Sequence, residues 1–162
     1  MMEENSRVIS ERQLFPLIEE ELSQNRRVRF TVSGSSMWPW IIHNRDSVLL
    51  EKTDVSTLRK GDIILFRTEF GHHILHRITK VTGGGFVTTG DGNLHRDGLV
   101  PFDAVLARAA AIYRKDRVIS CDSPGWRLLS WFWMFTFPVR AYEQKLILAA
   151  GRKNAKEKRE RQ

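Results

Sequence analysis

Cysteine is nearly absent from this sequence: Cys121 is the single one among 162 residues. One cysteine allows no disulfide within the chain and no cysteine-rich zinc site, so nothing here indicates an oxidising compartment. The first residues, Met1 to Asn5, are largely polar, and no apolar run resembles the core of a signal peptide. We therefore expect a chain that begins in the cytosol without an N-terminal signal peptide.

Acidic residues are the minority charge, with 19 Asp and Glu against 26 Lys and Arg and a formal net charge of +7. Residues 152–162 hold six positive and two negative charges and so account for +4 of this excess. The remaining charge is small and scattered, and no binding motif accompanies it, so we expect no nucleic-acid partner. The length and the 41% hydrophobic content favour one globular unit.

The N-terminal part of the chain predicts an amphipathic helix. Between residues 11 and 26, apolar residues such as Leu14 and Ile18 recur at three- and four-residue spacings between charged ones. Pro16 lacks an N–H and restricts the preceding residue. We therefore expect an irregular first turn or a helix that starts near Phe15.

After the helix, the sequence changes to short stretches rich in Val, Ile, Phe and Thr that are separated by Gly and Asp, which is typical of strands. The predicted strands cover residues 28–32, 47–51, 62–67, 73–81, 86–89 and 104–113. We predict a mainly β protein with a compact antiparallel β-body. Its segments are an N-terminal helical segment (1–27), the β-rich domain (28–120), an apolar helical segment (121–151) and a basic tail (152–162).

Three of the five tryptophans cluster at Trp126, Trp131 and Trp133. The uncharged run of residues 128–139 would measure about 18 Å as a helix, against a hydrocarbon core of about 30 Å, so it cannot span a bilayer alone. It is either a helix buried against the β-body or an interfacial or re-entrant membrane segment. The tryptophans and the basic tail favour the second interpretation, with anionic membrane lipid as a partner and a membrane-associated localisation.

The most informative polar segment is residues 33–39, Ser-Gly-Ser-Ser-Met-Trp-Pro, directly after a predicted strand. Gly34 permits a tight turn and Pro39 fixes φ, so a serine here can be held on a rigid turn. Serine and glycine are common in loops for conformational reasons unrelated to catalysis. The segment alone is therefore more typical of a plain polar loop, and a functional interpretation needs a second element.

A histidine on a predicted strand supplies that second element. Ile74, His76 and Ile78 alternate, which places the imidazole on the same strand face as two apolar side chains. Such a histidine is either a structural residue bonded to a backbone carbonyl or a general base that can take the proton of a serine.

Two carboxylates, Asp91 and Asp97, follow in a glycine-containing loop. The loop lacks the acidic density of a calcium site. His72 and His76 have the spacing of a helical metal pair, but on a strand they would lie about 13 Å apart, too far to share one ion. We therefore predict no metal and no cofactor.

Taken in order, these segments resemble the type I signal peptidases over about residues 30–113, and in particular the Ser-His branch found in eukaryotes and archaea. The residues that carry the resemblance are Gly34-x-Ser36-Met37-x-Pro39, Gly61-Asp62 before an apolar strand, His76-Arg77-Ile78, and Gly90-Asp91 through Asp97. The resemblance implies a mainly β fold of the signal peptidase type and a serine endopeptidase that acts on a signal or leader type of peptide or preprotein.

The resemblance also assigns roles in catalysis. Ser36 corresponds to the nucleophile, His76 to the general base, Asp97 to the acidic residue that supports the histidine, and Asp91 to the Asp of the Gly-Asp box. A serine hydroxyl is a poor nucleophile at pH 7 unless a base takes its proton during attack. The carboxylate, Asp97 by preference or Asp91, would fix the imidazole tautomer and stabilise the imidazolium.

Substrate contacts are expected around the serine turn. The Ser36 N–H, with the hydroxyl of Ser33 or Ser35, would hold the oxyanion, and Met37 completes the predicted substrate-binding set. An extended substrate could pair with the edge strand at residues 28–32, which would bring its scissile bond to Ser36.

Two other functions are compatible with the same residues. In one, the chain is a non-catalytic β-domain that binds a peptide or a membrane surface. In the other, it is a self-cleaving or regulatory protease related to repressor-type serine proteases, although those use a lysine base where this chain has His76. One departure from the signal peptidases also stands out: they usually carry a transmembrane anchor directly before the serine box, and here a charged amphipathic helix is predicted.

Overall fold

The computed structural model describes residues 11–93 and 95–137, and within them the chain is mainly antiparallel β-sheet with two α-helices. The helices are α1 (Glu11–Ser23) and α2 (Pro124–Phe135), and two short 3-10 turns lie at Val55–Thr57 and Phe102–Ala104. The strands are β1 (Val28–Thr31), β2 (Asp46–Glu51), β3 (Ile63–Arg67), β4 (His73–Thr82), β5 (Gly85–Thr89), β6 (Leu99–Pro101), β7 (Val105–Arg114) and β8 (Arg117–Ser120). The predicted mainly β class is confirmed.

The described strands form one sheet in the order β1-β2-β7-β3-β4-β5-β6, with β8 paired to β7 in addition. Every pairing is antiparallel. The sheet therefore ends at β1 on one side and at β6 on the other. Strands β6 and β8 were not predicted, because each is a short stretch of three or four residues whose alternation is too brief to stand out.

Helix α1 begins before Pro16, at Glu11, so the expected later start near Phe15 is wrong. A proline in the second turn removes one hydrogen bond to the carbonyl four residues earlier, and the rest of the helix can form around that loss. Ile18 and Leu22 are buried in the same cluster as Val48 of β2 and Ile112 of β7. The N-terminal helix thus shares a core with the β-body.

The buried side chains form two clusters on the described part of the chain. The larger one joins α1, the serine-rich turn and α2 to the sheet and includes Val48, Leu50, Ile63, Leu65 and Ile112. The smaller one contains Leu58, Ile64, Phe66, Ile78, Phe86 and Val100. Adjacent residues Ile63, Ile64, Leu65 and Phe66 alternate between the two clusters, because successive side chains of a strand point to opposite faces.

Helix α2, which carries the tryptophans of the Trp-rich segment, has one buried face and one exposed face. Ser123 caps its N-terminus by accepting a hydrogen bond from the Trp126 N–H. Trp126 and Ser130 are buried, whereas Trp131 is exposed. Among the described residues, no helix is long and apolar enough to cross a membrane. The rest of the predicted apolar segment and the basic tail, residues 138–162, lie outside the described residues.

Candidate functional site

The segment that carries Ser36 is a tight turn after β1. Gly34 adopts a φ of +93°, which favours glycine, and its N–H donates to His43 Nδ1 at 2.9 Å. The Trp38 N–H donates to the Ser35 carbonyl at 3.0 Å and closes the turn around Ser36. Ser36 itself is half-buried, so its hydroxyl belongs to a residue at the surface of a constrained turn.

Met37 anchors this turn from inside. Its side chain is 2% exposed and lies in the larger core cluster, and its carbonyl accepts from the Ile41 N–H at 3.0 Å. The sequence placed Met37 among the substrate-binding residues. In the structure its side chain belongs to the core, so it holds the neighbouring Ser36 in place rather than offering an exposed surface. Ser33 and Ser35, the other two members of that set, are exposed beside Ser36.

His76 lies on β4 and is 5% exposed. Its Nδ1 is 2.6 Å from Asp97 Oδ2. A carboxylate only accepts hydrogen bonds, so Nδ1 is the nitrogen that donates to Asp97, and Nε2 is the second ring nitrogen, on the other side of the imidazole. Thr88 Oγ1 donates to the same Asp97 oxygen at 2.7 Å, and the Asp97 N–H donates to the Thr88 carbonyl at 2.8 Å. The carboxylate that orients the histidine is thus itself held in position.

Gly90 brings the serine turn and the histidine together. A Cβ built on Gly90 would lie 2.5 Å from the Ser36 carbonyl oxygen and 2.9 Å from His76 Nε2. Those two atoms therefore cannot be farther apart than the sum of these distances. The Gly92 N–H also donates to the Ser36 carbonyl at 2.8 Å. His76 Nε2 and the Ser36 carbonyl oxygen thus both lie against Gly90, and a side chain at that position would collide with both of them.

Asp91 forms a buried ion pair with Arg77, the residue that follows His76 on β4. Arg77 Nε and Nη2 donate to the two carboxylate oxygens of Asp91 at 2.8 Å and 2.7 Å. Arg77 Nη1 donates to the Gly61 carbonyl at 2.9 Å and to Ser130 Oγ at 2.7 Å. The sequence left both carboxylates open as the partner of His76, and in the structure Asp97 is the one that contacts it. Asp91, through Arg77, links β4 to the loop after β5 and to α2.

The structure assigns Arg77 a larger part than the sequence analysis did. The available signal was an arginine inside an apolar strand, next to His76 and on the opposite strand face. Such a charge needs a buried partner, because an unpaired guanidinium in the core is costly. The path of the loop after β5 determines which carboxylate pairs with Arg77. The strand pattern contains no information about the path of that loop.

Two tryptophans of helix α2 contact residues that adjoin the site. The Trp133 indole N–H donates to the Asp91 carbonyl at 3.3 Å, and the Trp133 ring meets the Trp40 ring edge-to-face at 5.4 Å. Trp126 lies 5.5 Å from the Arg77 guanidinium carbon and contacts Trp40 at 6.2 Å. The tryptophans thus connect the serine turn to the Asp91 loop.

The Cys121 thiol is buried and is not suited to act as a nucleophile. Burial raises the pKa of the Cys121 thiol to about 12, so it stays protonated near neutral pH. Within the described residues, no group of His, Cys, Asp and Glu side chains is arranged to hold a metal ion.

The structure thus brings Ser36, His76 and Asp97 to one place and puts Asp91 beside them in a different pairing. Such a set can perform proton transfer from a hydroxyl to an imidazole that a carboxylate orients. Comparison with known proteins adds no family: no protein-family description matches the chain, and no curated protein matches it.

Proposed function

We propose that this protein is a serine endopeptidase that resembles the Ser-His signal peptidases, with Ser36 as nucleophile, His76 as general base and Asp97 as the residue that orients the histidine. One observation carries the proposal: His76 is buried with Nδ1 on the Asp97 carboxylate, while its Nε2 and the Ser36 carbonyl lie against the same glycine, Gly90. A general base for the Ser36 hydroxyl has to lie near the serine turn in this way, with its other nitrogen held by a carboxylate.

In this mechanism the Ser36 hydroxyl attacks the peptide carbonyl carbon while His76 Nε2 takes its proton. The imidazolium that forms is stabilised by Asp97, and it then gives the proton to the amine that leaves. The oxyanion would be held by the Ser36 N–H together with the hydroxyl of Ser33 or Ser35. Water hydrolyses the acyl-enzyme in the reverse sequence of proton transfers.

Two unpaired strand edges favour an extended peptide as substrate. Strand β1 has β2 as its single strand partner in the described sheet. On β4, the pairing with β5 starts at Arg77, so the His73–His76 half is paired on one side alone, to β3. Both edges lead to the site, since β1 runs into the serine turn and the free half of β4 ends at the catalytic histidine.

The two edges also border the same space. The ring of Phe15 on α1 lies 6.5 Å from that of Phe30 on β1 and is stacked at 4.1 Å on that of His73 on β4. His73 Nε2 is in turn 2.6 Å from Glu19 Oε1 on α1. Helix α1 thus contacts a side chain from each of the two edge segments. A peptide between them could hydrogen-bond to both strands through its main chain, which favours an extended segment over a folded one.

The test is cleavage of a mixture of quenched fluorescent peptides of leader type, with mass spectrometry to locate the cut. Ser36→Ala and His76→Ala should each lower kcat/KM by several orders of magnitude, and together they should be no worse than one alone, since such residues act as a unit. Asp97→Ala should lower it less.

The matched control is Ser56→Ala, which removes an exposed serine outside the candidate site and should leave cleavage unchanged. Wild-type cleavage by a folded Ser36→Ala protein would refute the assignment. A wild-type protein that binds these peptides without cutting them would instead favour the non-catalytic peptide-binding domain.

A further inference from the structure

Helix α2 presents a row of large apolar side chains to solvent. Leu128, Trp131, Phe132 and Phe135 are between 56% and 70% exposed. They occur at positions i, i+3, i+4 and i+7, which is one face of an α-helix. The rings of Trp131 and Phe135 stack with centroids 5.7 Å apart, so the face is continuous. We call these four residues the α2 stripe.

The stripe is not explained by packing within the described residues. The opposite face of α2 already buries Trp126 and Ser130 against the β-body. The helix therefore has one apolar face that is covered and a second that faces solvent. With large side chains of about 150–250 Å² each, the exposed fractions amount to on the order of 500 Å². Continuous apolar patches of this size mark interaction sites on soluble proteins.

Charges of both signs lie near α2 in the described residues, since Arg127 forms ion pairs with Asp62 and Asp122 at 3.5 Å and 3.3 Å. Helix α2 contains no acidic residue, and Arg127 is its one charged residue. Lys60 is exposed and lines a cavity of about 230 Å³ together with Trp131 and Met134. In the sequence, residues 152–162 add a net +4 after the helix. An aromatic apolar face on a chain with a net charge of +7 matches the chemistry of an anionic lipid surface.

We propose that the α2 stripe docks this protein onto an anionic lipid bilayer, with α2 lying in the plane of the interface. Tryptophan and phenylalanine rings are suited to the headgroup level. A second copy of the chain fits less well, because two molecules of net charge +7 repel each other and the stripe is smaller than the roughly 800 Å² that each partner of a stable dimer buries. The proposal concerns binding and is independent of the peptidase activity.

Docking in this way would place the bilayer beside the candidate active site. The covered face of α2 contacts the Asp91 loop through Trp133, and the stripe lies on the other side of the same helix. The distance between them is about one helix diameter, roughly 10 Å. A peptide that emerges from the bilayer would therefore meet the candidate active site at the membrane surface.

The experiment is flotation of the full chain with vesicles of phosphatidylcholine containing 30 mol% phosphatidylglycerol, and with phosphatidylcholine alone. The wild type should float with the anionic vesicles and bind neutral ones at least about tenfold more weakly. Trp131→Gln combined with Phe135→Gln should lower the partition coefficient at least about tenfold. Phe70→Gln is the matched control, because Phe70 is 79% exposed but lies far along the chain in the turn before β4, and it should float as the wild type does.

A second measurement, of fluorescence quenching, identifies which side chain enters the bilayer. Brominated lipid should quench the wild-type tryptophan fluorescence. Trp131→Phe should keep the binding, since it preserves an aromatic ring, but should lose most of the quenching.

A wild-type protein that stays unbound with anionic vesicles overturns the proposal. The same holds if the Gln variants float like the wild type. A concentration-dependent dimer in sedimentation, abolished by the Gln substitutions, would assign the stripe to a second copy and equally overturn it.

Discussion

Removal of the Asp91 carboxylate should destabilise the fold strongly. In Asp91→Ala, the Arg77 guanidinium loses two charge-assisted hydrogen bonds while it remains 1% exposed, and it keeps the bonds to Gly61 and Ser130. Removing one partner of a buried ion pair leaves an uncompensated charge and costs about 3–5 kcal/mol. That is a large part of the roughly 5–15 kcal/mol that a protein of ordinary stability has in total.

The assay is urea unfolding followed by tryptophan fluorescence and circular dichroism. Glu21→Ala is the control, because it removes a carboxylate from the exposed pair with Arg26 and should change the unfolding free energy little. The double variant Arg77→Met with Asp91→Leu should recover much of the stability lost in Asp91→Ala, since no charge then remains buried.

Two results would contradict this reasoning. If Asp91→Ala had the wild-type urea midpoint and an unchanged m value, the guanidinium would have found water or another partner at no cost. If the double variant were as unstable as Asp91→Ala, the loss would come from the missing hydrogen bonds and packing and not from the uncompensated charge.

Three further outcomes are expected. Gly90→Ala should lower cleavage about a hundredfold while the protein stays folded, because the new methyl group would meet His76 Nε2, whereas Gly83→Ala, with open space around it, should have no effect on the cleavage rate. Cys121→Ala should leave cleavage intact, and iodoacetamide should not modify the folded wild type, since burial raises the pKa of this thiol to about 12. Hydrogen bonds from Arg108 hold the pKa of Asp122 at about 2. The stability that this carboxylate contributes is therefore complete above the ordinary carboxyl pKa and is lost as the pH falls towards 2. The difference between the urea midpoints at pH 5 and at pH 2.5 should accordingly be smaller in Asp122→Asn than in the wild type.

Local periodicity was sufficient to predict the mainly β class and most of the helices and strands. Apolar residues at helical spacing predicted α1, and stretches of β-branched and aromatic residues predicted six of the eight described strands, because these patterns depend on neighbours in the chain. The same alternation placed His76 on the apolar side of β4, where the structure has it buried. Composition also identified the Trp-rich helix.

The pairing of charges within the site depended on the tertiary structure. Asp91 and Asp97 are six residues apart in one loop, and nothing in their spacing decides which of them reaches His76. The path of that loop past β4 gives Asp97 to the histidine and Asp91 to Arg77. Arg77 also bonds to Ser130, 53 residues away, and no local pattern reports a contact at that separation.

The two faces of α2 were likewise decided by packing. The sequence of this helix is apolar almost all round, so periodicity alone could not tell a buried helix from one at an interface. The β-body offers it one surface, which takes Trp126 and Ser130 and leaves Trp131 and Phe135 exposed. Sequence therefore determined that the helix is apolar and rich in tryptophan, and the tertiary structure determined which of its side chains remain in contact with solvent, because one packed face can cover only half of a helix.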